Sequence, residues 1–140
     1  MITTKGRYAL RVMIDLAQHR GASNIPLKDI ADRQDISKKY LEIITKELVK
    51  GGLLKSTSGK GGGYSLCREP EEYNVYEILE LMEGSLSPVA CLAPDAEPCP
   101  RADNCPTLPM WKEYNMMVRD FFESRKLSDF LGETSPIYYI

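Results

Sequence analysis

No apolar run in the 140 residues approaches the ~18 that a membrane-spanning helix requires. The opening stretch MITTKGRYALRVMIDLAQHRG begins with a basic patch, but Arg11, Asp15 and His19 interrupt the apolar residues after it. It therefore lacks the continuous apolar core of a signal peptide and is expected to belong to the fold. The expected compartment is the cytoplasm, where stable disulfides are rare. Histidine occurs once, at position 19, and there is no CxxC pair, which excludes a thioredoxin-like redox motif. Phosphate-cradling motifs are missing too. The glycine run GKGGG at 59–63 lacks the Lys-Ser/Thr and following helix of a P-loop, and no dinucleotide fingerprint is present. Without a flavin or nucleotide fingerprint, or a nucleophile–base pair, the chain is not read as an enzyme. A small redox enzyme is the distant alternative.

What is present is unevenly distributed. Residues 1–68 hold 13 Lys and Arg against 6 Asp and Glu, a formal +7, whereas residues 69–140 hold 5 against 14, a formal −9. The overall charge of −2 conceals this division. A basic first half suits a polyanionic partner, and the acidic second half implies a different task. The composition, 43% hydrophobic and 27% charged, is that of a globular protein with a sizeable core.

Helical periodicity runs from Thr3 to about His19 through Tyr8, Leu10, Val12, Met13, Leu16 and Ala17, with Thr3 or Thr4 as N-cap and Gly21 as stop. A short helix is predicted from Pro26, with Leu27, Ile30 and Ala31 on its apolar face. Another starts at Ser37, buries Tyr40, Leu41, Ile44 and Leu48, and ends at Gly51–Gly52. Strands are predicted at Leu53–Ser56 and Tyr64–Cys67, joined by a glycine-rich hairpin at 58–63. Three helices followed by a basic hairpin give the order of a winged helix-turn-helix domain. A fourth helix is predicted at Val75–Glu83, closed by Gly84. A long fifth helix carries Leu108, Trp111, Tyr114, Met117, Val118, Phe121 and Phe122 as one wide stripe. An apolar helix of this kind outside the winged domain predicts packing against a twofold-related copy. The sequence closes with a short turn and an extended apolar tail.

The expected fold class is therefore mainly α with a small β-wing: a winged helix-turn-helix DNA-binding domain at 1–68, then a dimerisation region at 69–140. Residues at the start of a recognition helix enter the major groove. Here these are Ser37, Lys38, Lys39 and Tyr40, with Glu42 one turn on. The lysines can contact phosphate or guanine, and Glu42 can accept from a cytosine amino group. Tyr40 serves equally as an anchor to the core. Lys5, Arg7 and Tyr8 in the first helix, and Lys28 in the second, are candidates for phosphate contact beside helix N-terminal amides. At the wing tip the candidates are Ser58, Gly59 and Lys60.

Three of the four cysteines, Cys91, Cys99 and Cys105, lie in the proline-rich stretch CLAPDAEPCPRADNC, with intervening gaps of seven and five residues. Structural zinc sites usually pair cysteines two to four apart, so the spacing is a poor match. Thiolates also select iron–sulfur clusters and copper(I). Cys67, at the end of the second strand, is read as a packed thiol.

The motifs TTKGRYAL, YLE and GKGGGYSL, followed by a cysteine trio before a tryptophan-bearing helix, together resemble the BadM/Rrf-type winged-helix transcription regulators. The resemblance spans nearly the whole chain. It implies a homodimeric regulator that binds a double-stranded DNA operator through the third helix and wing, with Glu42 at a base contact. It also implies a 2Fe–2S cluster on Cys91, Cys99 and Cys105, making 91–105 a sensor loop for iron–sulfur, redox, nitric oxide or sulfur-metabolism signals. A cluster-free branch of the same family offers the alternative of a thiol-sensing or partner-dependent repressor of cysteine metabolism. The chain departs from the family pattern in four places. The first cysteine gap is longer, and Leu108 replaces the histidine that comes after the third cysteine. Arg7 occupies the place of an N-terminal aspartate ligand, and Ser58 that of a minor-groove arginine. The fourth ligand stays open among Asp95, Glu97, Asp103, a small thiol, a backbone amide and water.

Overall fold

Local signals account for most element boundaries. In the computed structural model, which describes residues 1–21 and 23–132, helix α1 spans Thr4–Gln18, α2 Leu27–Gln34 and α3 Lys38–Lys50. The Ser37 hydroxyl accepts from the Tyr40 amide at 3.2 Å and caps α3 at its predicted start. At the other end Gly52 adopts φ +78°. The amides of Gly52 and Leu53 then return to the carbonyls of Val49 and Leu48, a Schellman closure that only a left-handed residue permits at low cost.

Strands β1 (Leu54–Thr57) and β2 (Gly63–Leu66) pair antiparallel, with Leu54 opposite Leu66 and Thr57 opposite Gly63. The predicted strands are displaced by one residue. Leu53 is occupied in closing α3, and Gly63 is drawn into the ladder. Ile25, just before α2, exchanges hydrogen bonds with Tyr64 at 2.9 and 2.8 Å and so extends the wing's pairing on its other side. That approach requires glycine at 63: a Cβ there would lie 2.3 Å from the Ile25 carbonyl oxygen.

Helix α4 spans Val75–Glu83, as predicted, and begins with a reciprocal capping box between Asn74 and Glu77. Helix α5 spans Leu108–Glu123. Short 3-10 turns occur at Pro70–Glu72, Ala90–Leu92, Ala102–Asn104 and Leu127–Phe130, the last being the predicted closing turn. The predicted apolar tail at 133–140 lies outside the described residues.

One core runs through the molecule and across residue 68. It contains Val12, Met13 and Leu16 of α1, Ile30 of α2, Leu41, Ile44 and Leu48 of α3, and Leu54 and Leu66 of the wing. It also contains Tyr73, Ile78, Met82 and Leu127. The fully buried Tyr73 acts as a pin. Its hydroxyl accepts from the amides of Cys67 and Arg68 at 2.8 and 3.1 Å and donates to the Leu53 carbonyl at 2.8 Å. A smaller cluster of Val75, Leu79 and Leu86 receives Val118 and Phe122, which seats α5 on α4.

The turn between α2 and α3 is set by a buried carboxylate. Asp15 is fully inaccessible, yet it accepts two hydrogen bonds from Arg33, at 3.0 and 2.8 Å, and one from the Gln34 side chain at 2.9 Å. Arg11 of α1 bonds the Gln34 side chain and backbone carbonyl. Asp35 comes next, in the left-handed region at φ 52°, and turns the chain into α3. Replacing Asp15 with Ala leaves the half-buried Gln34 and the exposed Arg33 without their acceptor. Because three hydrogen bonds to one charged group are lost together, it is expected to destabilise the fold by roughly 3 kcal/mol. Thermal unfolding should show a fall in Tm of about 10 °C. Glu69→Gln, which removes the exposed Arg20–Glu69 pair, should leave Tm almost unchanged.

Candidate nucleic-acid interface and cysteine loop

The cap at Ser37 and the burial of Leu41, Ile44, Thr45 and Leu48 decide which side of α3 faces solvent. Ser37, Lys38, Lys39 and Glu42 all lie on that exposed side. Tyr40 is half-buried and meets Tyr8 of α1 edge-to-face at 5.7 Å between ring centres. Arg11 stacks against this pair, 5.1 Å from the Tyr8 ring centre. Tyr8 and Tyr40 are thus brought together as a brace between α1 and α3, which accounts for the double reading of Tyr40. Lys28 is exposed in the first turn of α2. At the wing tip Ser58, Gly59 and Lys60 are all exposed. Gly59 and Gly61 take φ values of +84° and +77°, so Lys60 is carried between two left-handed glycines.

The N-terminus of α1 differs from its sequence-based expectation. The Glu83 carboxylate accepts from the Thr3 amide at 2.9 Å, the Thr3 hydroxyl at 2.8 Å and the Gly6 amide at 3.1 Å. Burial raises the pKa of Glu83, but these hydrogen bonds outweigh it and hold the group below the ordinary carboxylate value of 4.5. Thr3, expected as an N-cap, makes no side-chain cap within α1 and donates to Glu83 instead. Two of the amides at this helix end, those of Thr3 and Gly6, are therefore occupied by an internal anion. Gly6 is required for this fit, since a Cβ there would stand 2.4 Å from Glu83 Oε1. Lys5 is also engaged, its Nζ 2.5 Å from Glu47 Oε1 on α3. Arg7 is exposed and bonds within its own helix, at Thr4 Oγ1, 3.1 Å away.

Sequence reasoning missed Glu83, Glu47 and the Asp15–Arg33–Gln34 network. For Asp15 a signal existed: it sits among Val12, Met13 and Leu16 on the apolar face of α1, where an acid needs an internal partner. For Glu83 and Glu47 none did, because their partners lie 77 to 80 and 42 residues away.

The three loop cysteines are free thiols of intermediate burial, as is Cys67. Cys91 sits in the 3-10 turn Ala90–Leu92, closed by the Ser87 hydroxyl donating to the Leu92 carbonyl at 2.9 Å. Cys99 accepts at its carbonyl from the Ala102 amide, and Cys105 ends the next turn, two residues before α5 departs from Thr107. The Cys105 sulfur lies 3.5 Å from Thr107 Oγ1. That contact, together with the amides of Thr107 and Leu108 and the nearby Arg101 charge, holds its thiol below the ordinary value of 9.0. As donors, soft half-accessible thiols match an iron–sulfur cluster or another soft metal. Their placement does not: among the described residues no three Cys, His, Asp or Glu side chains stand together in a set able to hold a metal. The loop would have to draw its thiols inward to become a ligand set, and Asp95, Glu97 and Asp103 are not gathered with them. His19 is engaged elsewhere, its Nδ1 2.9 Å from the Asp15 carbonyl at the end of α1.

Helix α5 turns Val118 and Phe122 inward. Met110, Tyr114, Met116, Met117 and Phe121 remain 50–63% exposed. Beside them an apolar groove of about 720 Å³ is lined by Met1, Ile2, Leu86, Trp111 and Phe122 among others. No helix among the described residues is long and apolar enough to cross a membrane.

Comparison with known proteins agrees with this architecture. The chain is 35% identical over 131 residues to the HTH-type transcriptional regulator IscR of Photorhabdus laumondii, covering 94% of this chain and 79% of the relative. The solved structure of CymR (YrzC), the global cysteine regulator of B. subtilis, superposes with a TM-score of 0.76 at 36% identity, covering 96% of this chain and 98% of that one. T. potens IscR superposes with a TM-score of 0.71 at 32% identity, covering all of this chain and 96% of that one. Residues 2–133 match the Rrf2 family, described as an iron-dependent transcriptional regulator. A winged helix with a capped, solvent-facing third helix is accounted for by that match, and the chain belongs to the Rrf2 family of transcription regulators.

Proposed function

We propose that this chain is a cytoplasmic, homodimeric regulator that binds a double-stranded DNA operator. Residues 1–68 supply the DNA-binding unit and residues 69–140 the dimer contact and the sensor loop 91–105. The observation that carries the reading is α3 itself. Its buried face is complete without its N-terminal residues, so Ser37, Lys38, Lys39 and Glu42 are free to meet base edges and phosphates. Tyr8 and Tyr40 act as the brace that fixes the angle of α3. Lys28 and Arg7 contribute phosphate contacts, and Ser58, Gly59 and Lys60 let the wing follow the backbone. Lys5 can join them only by leaving Glu47. The half-exposed stripe on α5, continuous with the groove beside it, supports pairing with a second copy.

Drawn together, the loop thiols Cys91, Cys99 and Cys105 would hold a 2Fe–2S cluster, with a fourth ligand that the donor set does not single out. A bound cluster supplies a redox- and nitric-oxide-sensitive group; the chain's own contribution is to hold the thiols between α4 and α5, where a change in loop order alters how those helices sit. A second reading is supported by the ungathered thiols and the depressed Cys105: a cluster-free thiol sensor working with a protein partner. The similarity to a global cysteine regulator favours the same alternative.

Three measurements test these assignments. Operator affinity should fall steeply with salt, with a log–log slope steeper than about −4, and Lys60→Ala should flatten the slope by roughly 2 in a dimer that loses one phosphate contact per protomer. A nearly salt-independent affinity would sink the DNA interface. Anaerobically reconstituted protein should be brown and contain iron and sulfide, with the visible absorption lost on replacing any one of the three cysteines with Ala. Colourless, iron-free protein would transfer the assignment to the thiol sensor. Finally, Thr107→Val removes the largest influence lowering the Cys105 pKa, so less thiolate remains at neutral pH. Alkylation of Cys105, monitored by peptide mass spectrometry, should slow several-fold while Cys67 is unaffected.

A further inference from the structure

Ile43 is 49% exposed, and among the described residues it is the one large apolar side chain so exposed outside α5 and the first two residues. Single exposed apolar residues are common and need no explanation on their own. This one has a specific position. At about 3.6 residues per turn, Ile43 stands opposite the buried Leu41, Ile44, Thr45 and Leu48, in the middle of the solvent face of α3. The same arithmetic places Lys39, Lys46 and Lys50 on its side of the helix, and all three are exposed. A solvated helix face normally carries polar residues at its centre. Here an apolar side chain has three lysines on one flank, Glu42 directly before it and, one turn on, Glu47 neutralised by Lys5.

Cations around an apolar centre match the major groove of DNA, where phosphates flank the base edges and thymine alone presents a methyl group. Isoleucine is suited to such a contact. Its β-branch is strongly restricted at χ1 in a helix, so its methyl groups point in a fixed direction and little rotamer freedom is lost on contact. We propose that Ile43 packs against a thymine C5-methyl group and is a specificity-determining residue of this interface. Lys39, Lys46 and Lys50 contact the flanking backbone, and Glu42 reads an adjacent amino group. The inference rests on the DNA-binding reading above and adds a defined base to it.

The test uses the full chain and a duplex recovered by wild-type protein from a random pool. Each thymine of that duplex is replaced in turn by deoxyuridine, which removes the methyl group and keeps base pairing. Burial of one methyl-sized group is worth about 0.8 kcal/mol, so at about 1.4 kcal/mol per tenfold the contacted thymine should show about fourfold weaker binding per half-site. Ile43→Ala should bind the thymine and uracil duplexes equally, whereas Ile43→Val should retain a preference. Both variants should keep the wild-type salt slope, since no phosphate contact is lost. The half-exposed position predicts wild-type melting for both, which circular dichroism checks. The proposal is overturned if no thymine-to-uracil change exceeds twofold, or if the penalty is the same in Ile43→Ala. Recovery of no duplex at all overturns the DNA-binding reading along with it.

Discussion

The geometry of the helix-turn-helix depends on a carboxylate that water does not reach. Asp15 draws Arg33 and Gln34 onto α1 at the point where α2 ends, and Gln34 is held from the other side by Arg11. The left-handed Asp35 then leads directly into the Ser37 cap. Hydrophobic burial would hold α2 against α1 without this group, but it is non-directional and leaves the helix free to slide. Charged hydrogen bonds add direction. The surface pairs Arg20–Glu69 and Arg119–Glu123 are open to water and contribute little by comparison. The orientation of the proposed recognition helix is therefore inherited from a polar contact behind it, and the Tyr8–Tyr40 brace completes the support.

A second set of polar contacts ties the latter half of the chain to the first. Tyr73 gathers two amides from the end of the wing and the carbonyl of Leu53 onto one hydroxyl. Glu83, the last residue of α4, closes the N-terminus of α1. The segment that carries the cysteine loop leaves α4 at Gly84 and reaches α5 through two 3-10 turns. In the proposed regulator the sensor loop 91–105 is thus joined through residues 84–90 to the helix whose last residue grips the N-terminus of α1. The interior gives no comparable reason for the exposed side of α5. Its inward residues are satisfied by α4, and the described residues leave the remainder of the stripe half-exposed.

Much of this was readable because it is local. Ser37 before an amphipathic run, Gly51–Gly52 after it, Gly84 at the end of α4 and the glycines of the wing each act within a few residues, so the order of helices and strands came from them. Strand limits slipped by one residue, because the pairing of Gly63 with Thr57 depends on Ile25, nearly forty positions away in the chain. Asp15 was visible as an acid on an apolar face, although its partners were not. Glu83 carried no signal, since a glutamate at the end of a helix resembles any solvated one until Gly6 is folded against it.

By itself the sequence determined the winged-helix order, the segregation of positive and negative charge, and the gathering of three thiols in one proline-rich loop. These are matters of residue type and short spacing. Tertiary structure decided which polar groups were already engaged: Lys5 by Glu47, the Thr3 and Gly6 amides by Glu83, Arg33 by Asp15. It also left Ile43 exposed among lysines and the three thiols apart. The physical reason is common to all of them. A side chain's propensity is set by its neighbours in the chain, but its partner is set by which distant surface the packed core brings within hydrogen-bonding or van der Waals reach.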